Sequence, residues 1–214
     1  MNKKLADFFT KEKIKAFFLS LIKSPLFYIT LFAIFADILS KWCVQLNVSV
    51  GVPITIIPNF LEISLLYNKG ALWGMGSDSI AARIVLIIIR LILAFLIPVV
   101  YLLKGQELKM RYKVTIMLIY AGCIGNLIDG LFYWEPVVGF DGVIDWIHFT
   151  FFSPSFNLAD SYVTVCVFLI IIFIIVDEIK EAIRRNRRGE FSMTPEEYEK
   201  KMKEEKHETN HSKK

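Results

Sequence analysis

The chain has 214 residues, of which 55% are hydrophobic and 21% charged, and a formal net charge of +4. The apolar residues are bunched into four stretches that reach or approach the roughly 20 needed to cross about 30 Å of hydrocarbon, which excludes soluble enzymes and nucleic-acid binders and predicts an integral membrane protein. Cys43, Cys123 and Cys166 lie within apolar blocks without CxxC spacing, and His148, His207 and His211 are scattered, so neither a disulfide framework nor a metal site is implied.

Taken in chain order, residues 1–25 hold six Lys and no Arg around an apolar run at 14–22, which predicts a cytoplasmic amphipathic segment on the membrane face. The crossings are expected at 26–50, 80–103, 114–132 and 158–176. The two termini and the 104–113 segment carry 21 of the 25 basic residues, whereas the intervening segments 47–79 and 134–157 carry only Lys69, so both termini are expected in the cytoplasm. Residues 52–66, rich in Ile, Thr, Pro and Phe with partial alternation, predict a small sheet on the outer membrane surface, followed by turns at Gly70, Gly74 and Gly76. The aromatic-rich stretch 133–157 reads as an interfacial flap. Beyond residue 176 the composition turns charged, with Arg184, Arg185, Arg187 and Arg188 beside the membrane. Thr194, Pro195 and Glu197 have the pattern of an N-cap, a first helical position and a capping-box acid. The expected architecture is a membrane all-α bundle of four transmembrane helices with a small extracytoplasmic β-sheet. It divides into an N-terminal segment 1–25, a membrane domain 26–176 and a charged cytoplasmic tail 177–214.

Ionisable groups within hydrocarbon need a partner, a water-filled cavity or a function. Asp37 and Lys41 stand four apart on one face of the first crossing, where a structural ion pair and a functional role are equally good readings. Asn126 and Asp129 share a face near the outer end of the third crossing, and Asn157 and Asp160 share one at the outer start of the fourth. Asp145 lies in an apolar run that returns it toward the membrane surface. Asp37, Lys41, Asp129, Asp145 and Asp160 are therefore expected at one depth, in the outer half of the membrane. Two carboxyl groups brought together in a partly desolvated site cannot both ionise easily, so one keeps a proton while the other takes one from water. Amide hydrolysis needs that combination. A two-aspartate hydrolase fits the inventory best. A transporter with membrane carboxylates and a non-catalytic scaffold stand as the other readings, the first disfavoured by the scarcity of acids in the inner halves of the crossings.

The residues that carry a resemblance are Asp37 with Lys41; Asn68, Lys69, Gly70 and Ala71; Gly125, Asn126, Leu127, Ile128 and Asp129; Val143, Ile144 and Asp145; and Phe156, Asn157, Leu158, Ala159, Asp160 and Ser161. In this order, and with four crossings, the chain resembles the lipoprotein signal peptidase family, type II signal peptidases of the bacterial cytoplasmic membrane. The resemblance implies that Asp145 and Asp160 form a catalytic dyad near the outer face. It implies that Asn68, Gly70, Asn126, Asp129, Asn157 and Ala159 shape the substrate site, with Asp37 and Lys41 supporting it. It further implies a diacylglyceryl prolipoprotein substrate cut before its lipidated cysteine, contact with membrane lipids, a monomer and no cofactor. Three departures stand out. Gly130 occupies a position where the family commonly has Arg, the stretch from Phe132 to Gly142 is longer than usual for the family, and only fifteen positions separate Asp145 from Asp160, fewer than the family leads one to expect. Arg83 or Arg90 of the second crossing is the candidate to supply the missing charge.

Overall fold

The computed structural model describes residues 22–69, 80–133 and 142–187, together with 19, 194, 196, 197 and 200. Among the described residues, four helices are long and apolar enough to cross a membrane: α1 (Pro25–Asn47), α2 (Ile80–Lys104), α3 (Met110–Phe132) and α4 (Leu158–Arg187). The first begins where the local chemistry says it should. Ser24 is its N-cap, with Oγ accepting from the amide of Leu26 at 3.3 Å, and Pro25 at the first helical position has no amide hydrogen to leave unsatisfied.

The helix α3 is the centre of the membrane part, packed against both α1 and α2. Over half of its most apolar window is buried, 56% against 6% for α2, so α2 turns most of its apolar surface outward as a lipid-facing helix does. Small residues set the close approaches around α3. A Cβ added at Gly122 would overlap the carbonyl oxygen of Ala159 in α4, and one at Gly125 would overlap the carboxylate of Asp37 in α1. In hydrocarbon, such contacts substitute for the hydrophobic drive that water would provide.

Three antiparallel strands, β1 (Ile54–Ile57), β2 (Leu61–Asn68) and β3 (Val143–Phe149), form one sheet in the order β1-β2-β3. The hairpin between β1 and β2 falls within the stretch where a sheet was expected, turning through Asn59 at a φ of 57°. The third strand lies within 133–157, the stretch expected as an interfacial flap, and joins part of it to the sheet. Its Val143, Ile144, Trp146, Ile147 and Phe149 are strand formers, and Asn68 pairs with Val143 and Leu61 with Phe149. Val44 and Val48 at the end of α1 pack with Leu65 and Ile144 as a small core, so the sheet is seated on the end of α1.

The helix α4 continues past residue 176 to Arg187, because Asp177, Glu178, Lys180 and Glu181 are compatible with helix once it leaves an apolar environment. The composition change at residue 177 is therefore not a helix end. Residues Ile170–Lys214 make up a second compact unit, distinct from the first. Within it, Arg184 pairs with Glu181 at 3.0 Å. The expected capping box is present, the amide of Thr194 donating to Glu197 Oε2 at 2.8 Å and the amide of Glu197 to Thr194 Oγ1 at 3.4 Å. Most of the expected N-terminal amphipathic segment, Gly70, Gly74 and Gly76, and residues 134–141 lie outside the described residues.

Candidate active site

Most of the buried polar residues gather where the second half of α1, the last turns of α3 and the first turn of α4 meet β3. Asp37, Lys41, Asn126, Asp129, Asp145 and Asn157 are each less than 5% exposed. Burial of so many polar groups is tolerable only if each is hydrogen-bonded.

Lys41 organises the inner part. Its ammonium donates to Asp37 Oδ2 at 2.7 Å and Asn126 Oδ1 at 3.0 Å and lies 2.8 Å from Asp129 Oδ2, which uses all three of its hydrogens. Sequence spacing pairs Lys41 with Asp37, but the second carboxylate comes from another helix and no local rule reveals it. Asp37 in turn accepts from the amide of Ala159 at 2.9 Å, and Asp129 accepts from the amide of Ile144 at 3.3 Å. The pair that Lys41 neutralises thus tethers α4 through Asp37 and β3 through Asp129.

Asn157 caps α4. Its Oδ1 accepts from the amide of Asp160 at 2.9 Å, while the amide of Asn157 donates back to Asp160 Oδ2 at 3.4 Å. This is a capping box with Asp as its acid, and it fixes the orientation of Asp160 at the positive end of the helix dipole. The spacing Asn157-x-x-Asp160 ahead of an apolar run is the sequence pattern of such a box. The side-chain amide of Asn157 also shares its two hydrogens among Asp145 Oδ1 at 2.7 Å, Asn126 Oδ1 at 3.0 Å and the carbonyl of Ile144 at 3.1 Å. Asn126 donates to Asp160 Oδ1 at 2.7 Å. Two asparagines therefore bridge the two aspartates.

Asp145 reaches this network from β3. Asn68, at the end of the paired strand β2, donates to Asp145 Oδ2 at 3.0 Å. Gly142 brings the chain into this register: its φ is +121°, and a Cβ there would overlap the carbonyl of Asn68. Burial, joined by the nearby charge of Asp160, pushes the Asp145 carboxyl up to about 7 despite the opposing hydrogen bonds from Asn68 and Asn157 and the charge of Lys41. Two neighbouring acids of this kind can share a single proton near neutrality.

The structure brings together Asp37, Lys41, Asn68, Asn126, Asp129, Asp145, Asn157, Ala159 and Asp160; Gly70 lies outside the described residues. The two arginines of α2 go to main-chain oxygens. Arg83 donates to the carbonyls of Tyr133 at 2.6 Å and Gly130 at 3.3 Å, and Arg90 to that of Asn126 at 3.4 Å.

Comparison with known proteins places the chain among relatives. A family model described as Signal peptidase (SPase) II matches residues 29–176. A lipoprotein signal peptidase of Staphylococcus epidermidis is 34% identical over 154 residues, 72% of this chain and 88% of the relative. One from Staphylococcus aureus is 34% identical over 149 residues, 70% of this chain and 86% of the relative. A solved structure, described as a bacterial membrane enzyme determined by the in meso method at 2.3 Å, shares 31% identity. It superposes with a TM-score of 0.59, covering 72% of this chain and 88% of that one. A second, determined at 1.9 Å, also shares 31% identity, with a TM-score of 0.57 over 70% of this chain and 91% of that one.

Proposed function

The chain belongs to the signal peptidase II family, and from that premise we propose that it is an intramembrane aspartyl endopeptidase. In this reading it removes the signal peptide from diacylglyceryl-modified prolipoproteins by cutting before the lipidated cysteine, with Asp145 and Asp160 as the catalytic residues. The observation that carries the reading is the pair of asparagine side chains through which these two carboxylates are joined. Both acids are held in defined orientations, so little reorganisation is left for the chemical step.

The roles follow from the surroundings. Asp145, held near 7 by burial and by the charge of Asp160, keeps the shared proton at neutral pH and serves as the acid. Asp160 sits in the first turn of α4, where it accepts from Asn126 Nδ2 and from the amide of Asn157, and serves as the base. Asp160 takes a proton from water, the resulting hydroxyl adds to the scissile carbonyl carbon, and Asp145 delivers its proton as the carbon–nitrogen bond breaks. The site lies at the sheet end of the crossings, facing the outer surface, with both termini in the cytoplasm. Acyl chains of the substrate remain in lipid while the peptide bond enters the polar cleft.

The test is incubation of the purified full chain with a diacylated prolipoprotein. The unmodified protein is expected to release the signal peptide. Asp145→Asn and Asp160→Asn are each expected to lower the rate at least about a thousandfold while eluting and melting as folded protein. Cleavage surviving either substitution removes the aspartyl mechanism, and failure of the unmodified protein favours a scaffold.

A further inference from the structure

Arg90 is a cation of the membrane part that belongs to neither the lysine cage nor the aspartate pair. It lies ten residues into α2, about 15 Å along the helix and hence at hydrocarbon depth, where a guanidinium is costly without compensation. Among the described residues no carboxylate stands within ion-pair distance of it. It is half-buried, and its hydrogen bond goes across to α3, to the carbonyl oxygen of Asn126.

That single contact falls at an informative place. The Asn126 side chain accepts from Lys41 and Asn157 through Oδ1 and donates to Asp160 through Nδ2. The turn of α3 that aims Asp160 is therefore gripped twice, by Lys41 on its side chain and by Arg90 on its main chain. Two neighbouring features fix the approach of Arg90. Cys123 Sγ donates to the Arg90 carbonyl at 3.3 Å, locking α2 to α3 one turn away. Gly130 lets α3 lie close to the preceding turn of α2, since a Cβ there would stand 3.1 Å from Ile87 Cγ1. Arg83 has a different task, binding the last carbonyls of α3.

Charge points the same way. Asp37 and Lys41 of α1, Asp129 of α3, Asp145 of β3 and Asp160 of α4 bring four carboxyl groups against one ammonium. Even with one proton shared by the aspartate pair, three negative charges face one positive. Arg90 is the second positive charge that Asp160 feels, after Lys41.

We propose that Arg90 is a positioning residue for Asp160: its guanidinium holds the Asn126 turn of α3 and supplies a fixed positive charge beneath the aspartate pair. The inference rests on the dyad reading. It assigns a role to a residue of α2, a helix that contributes no member of the dyad or of the lysine cage.

The test compares Arg90→Met and Arg90→Lys with the unmodified chain in purified form, following kcat, KM and the pH profile of cleavage of a diacylated prolipoprotein. Removing the charge is expected to lower kcat by about tenfold to a hundredfold with KM within about threefold, and to move both limbs of the profile upward by about one pH unit, because a lost cation makes each proton harder to release. Arg90→Lys is expected to restore most of the rate and return the limbs. A pH profile unchanged in Arg90→Met overturns the inference, as does a rate loss that Lys leaves unrepaired in a protein that still melts cooperatively. Asp160→Asn is run alongside. If it is inactive while Arg90→Met behaves as the unmodified protein, the inference about Arg90 alone fails; if it still cleaves, the dyad reading fails first.

Discussion

Lys41 holds an ammonium, 1% exposed, between two carboxylates that are themselves buried. Replacing it with Met leaves Asp37 and Asp129 facing each other without a counter-charge, and breaking a buried pair in this way costs about 3–5 kcal/mol. Lys41→Met is expected to lower the unfolding midpoint in detergent sharply, and adding Asp129→Asn to recover part of the loss; an unchanged midpoint in the single variant contradicts the cage. Asp145 makes the complementary case. Its ordinary value is 3.8 and its folded value about 7, so the folded chain holds a proton that the unfolded chain has released between those limits. The stability due to that proton is complete below 3.8 and is lost as pH rises through about 7. Asp145→Asn, neutral throughout, avoids the loss. The unmodified protein is therefore expected to fall behind the variant in melting temperature between these pH values, and parallel curves would remove burial as the cause. For the same reason, cleavage by the unmodified enzyme is expected to decline above about pH 7.

At the level of elements, the site depends on how closely helices and strands approach. The first turn of α4 is positioned from two sides, by Asp37 accepting from the Ala159 amide and by the bare surface of Gly122 beneath the Ala159 carbonyl. Gly122→Val would force α4 away from α3 and draw Asp160 off Asn126. Cleavage is expected to fall by about a hundredfold or more, with less effect on insertion. Comparing signal-peptide release with the amount of membrane-integrated protein checks this. The crossings were legible because apolar runs of that length have few other uses, and the starts of α2 and α4 fell where they were expected. The strand β3 was less legible, since its partner β2 lies far away in sequence and pairing of that kind leaves no local periodicity. The side-chain network was legible only in part: Asp37 with Lys41 and Asn157 with Asp160 follow helix spacing, whereas Lys41 with Asp129 and Asn157 with Asp145 cross between elements.

For the whole molecule, the proposed orientation has a direct consequence. With the native cysteines replaced, a thiol at Asn59 in the β1–β2 turn is expected to react with an impermeant reagent added outside intact cells, and one at Lys109, between α2 and α3, only after permeabilisation. The reverse pattern would invert the topology. The site itself draws on nearly the full length of the membrane part: Asp37 from α1, Asn68 from β2, Asn126 from α3, Asp145 from β3 and Asp160 from α4. Asp160 arrives in the last crossing, and Asp37 is already waiting to receive the amide of the residue before it. On the proposed mechanism, a ribosome that has delivered only three helices has thus made a charged cage but no protease. Cutting activity would then be born with the final span, so a half-made copy could not attack passing substrates during its own synthesis.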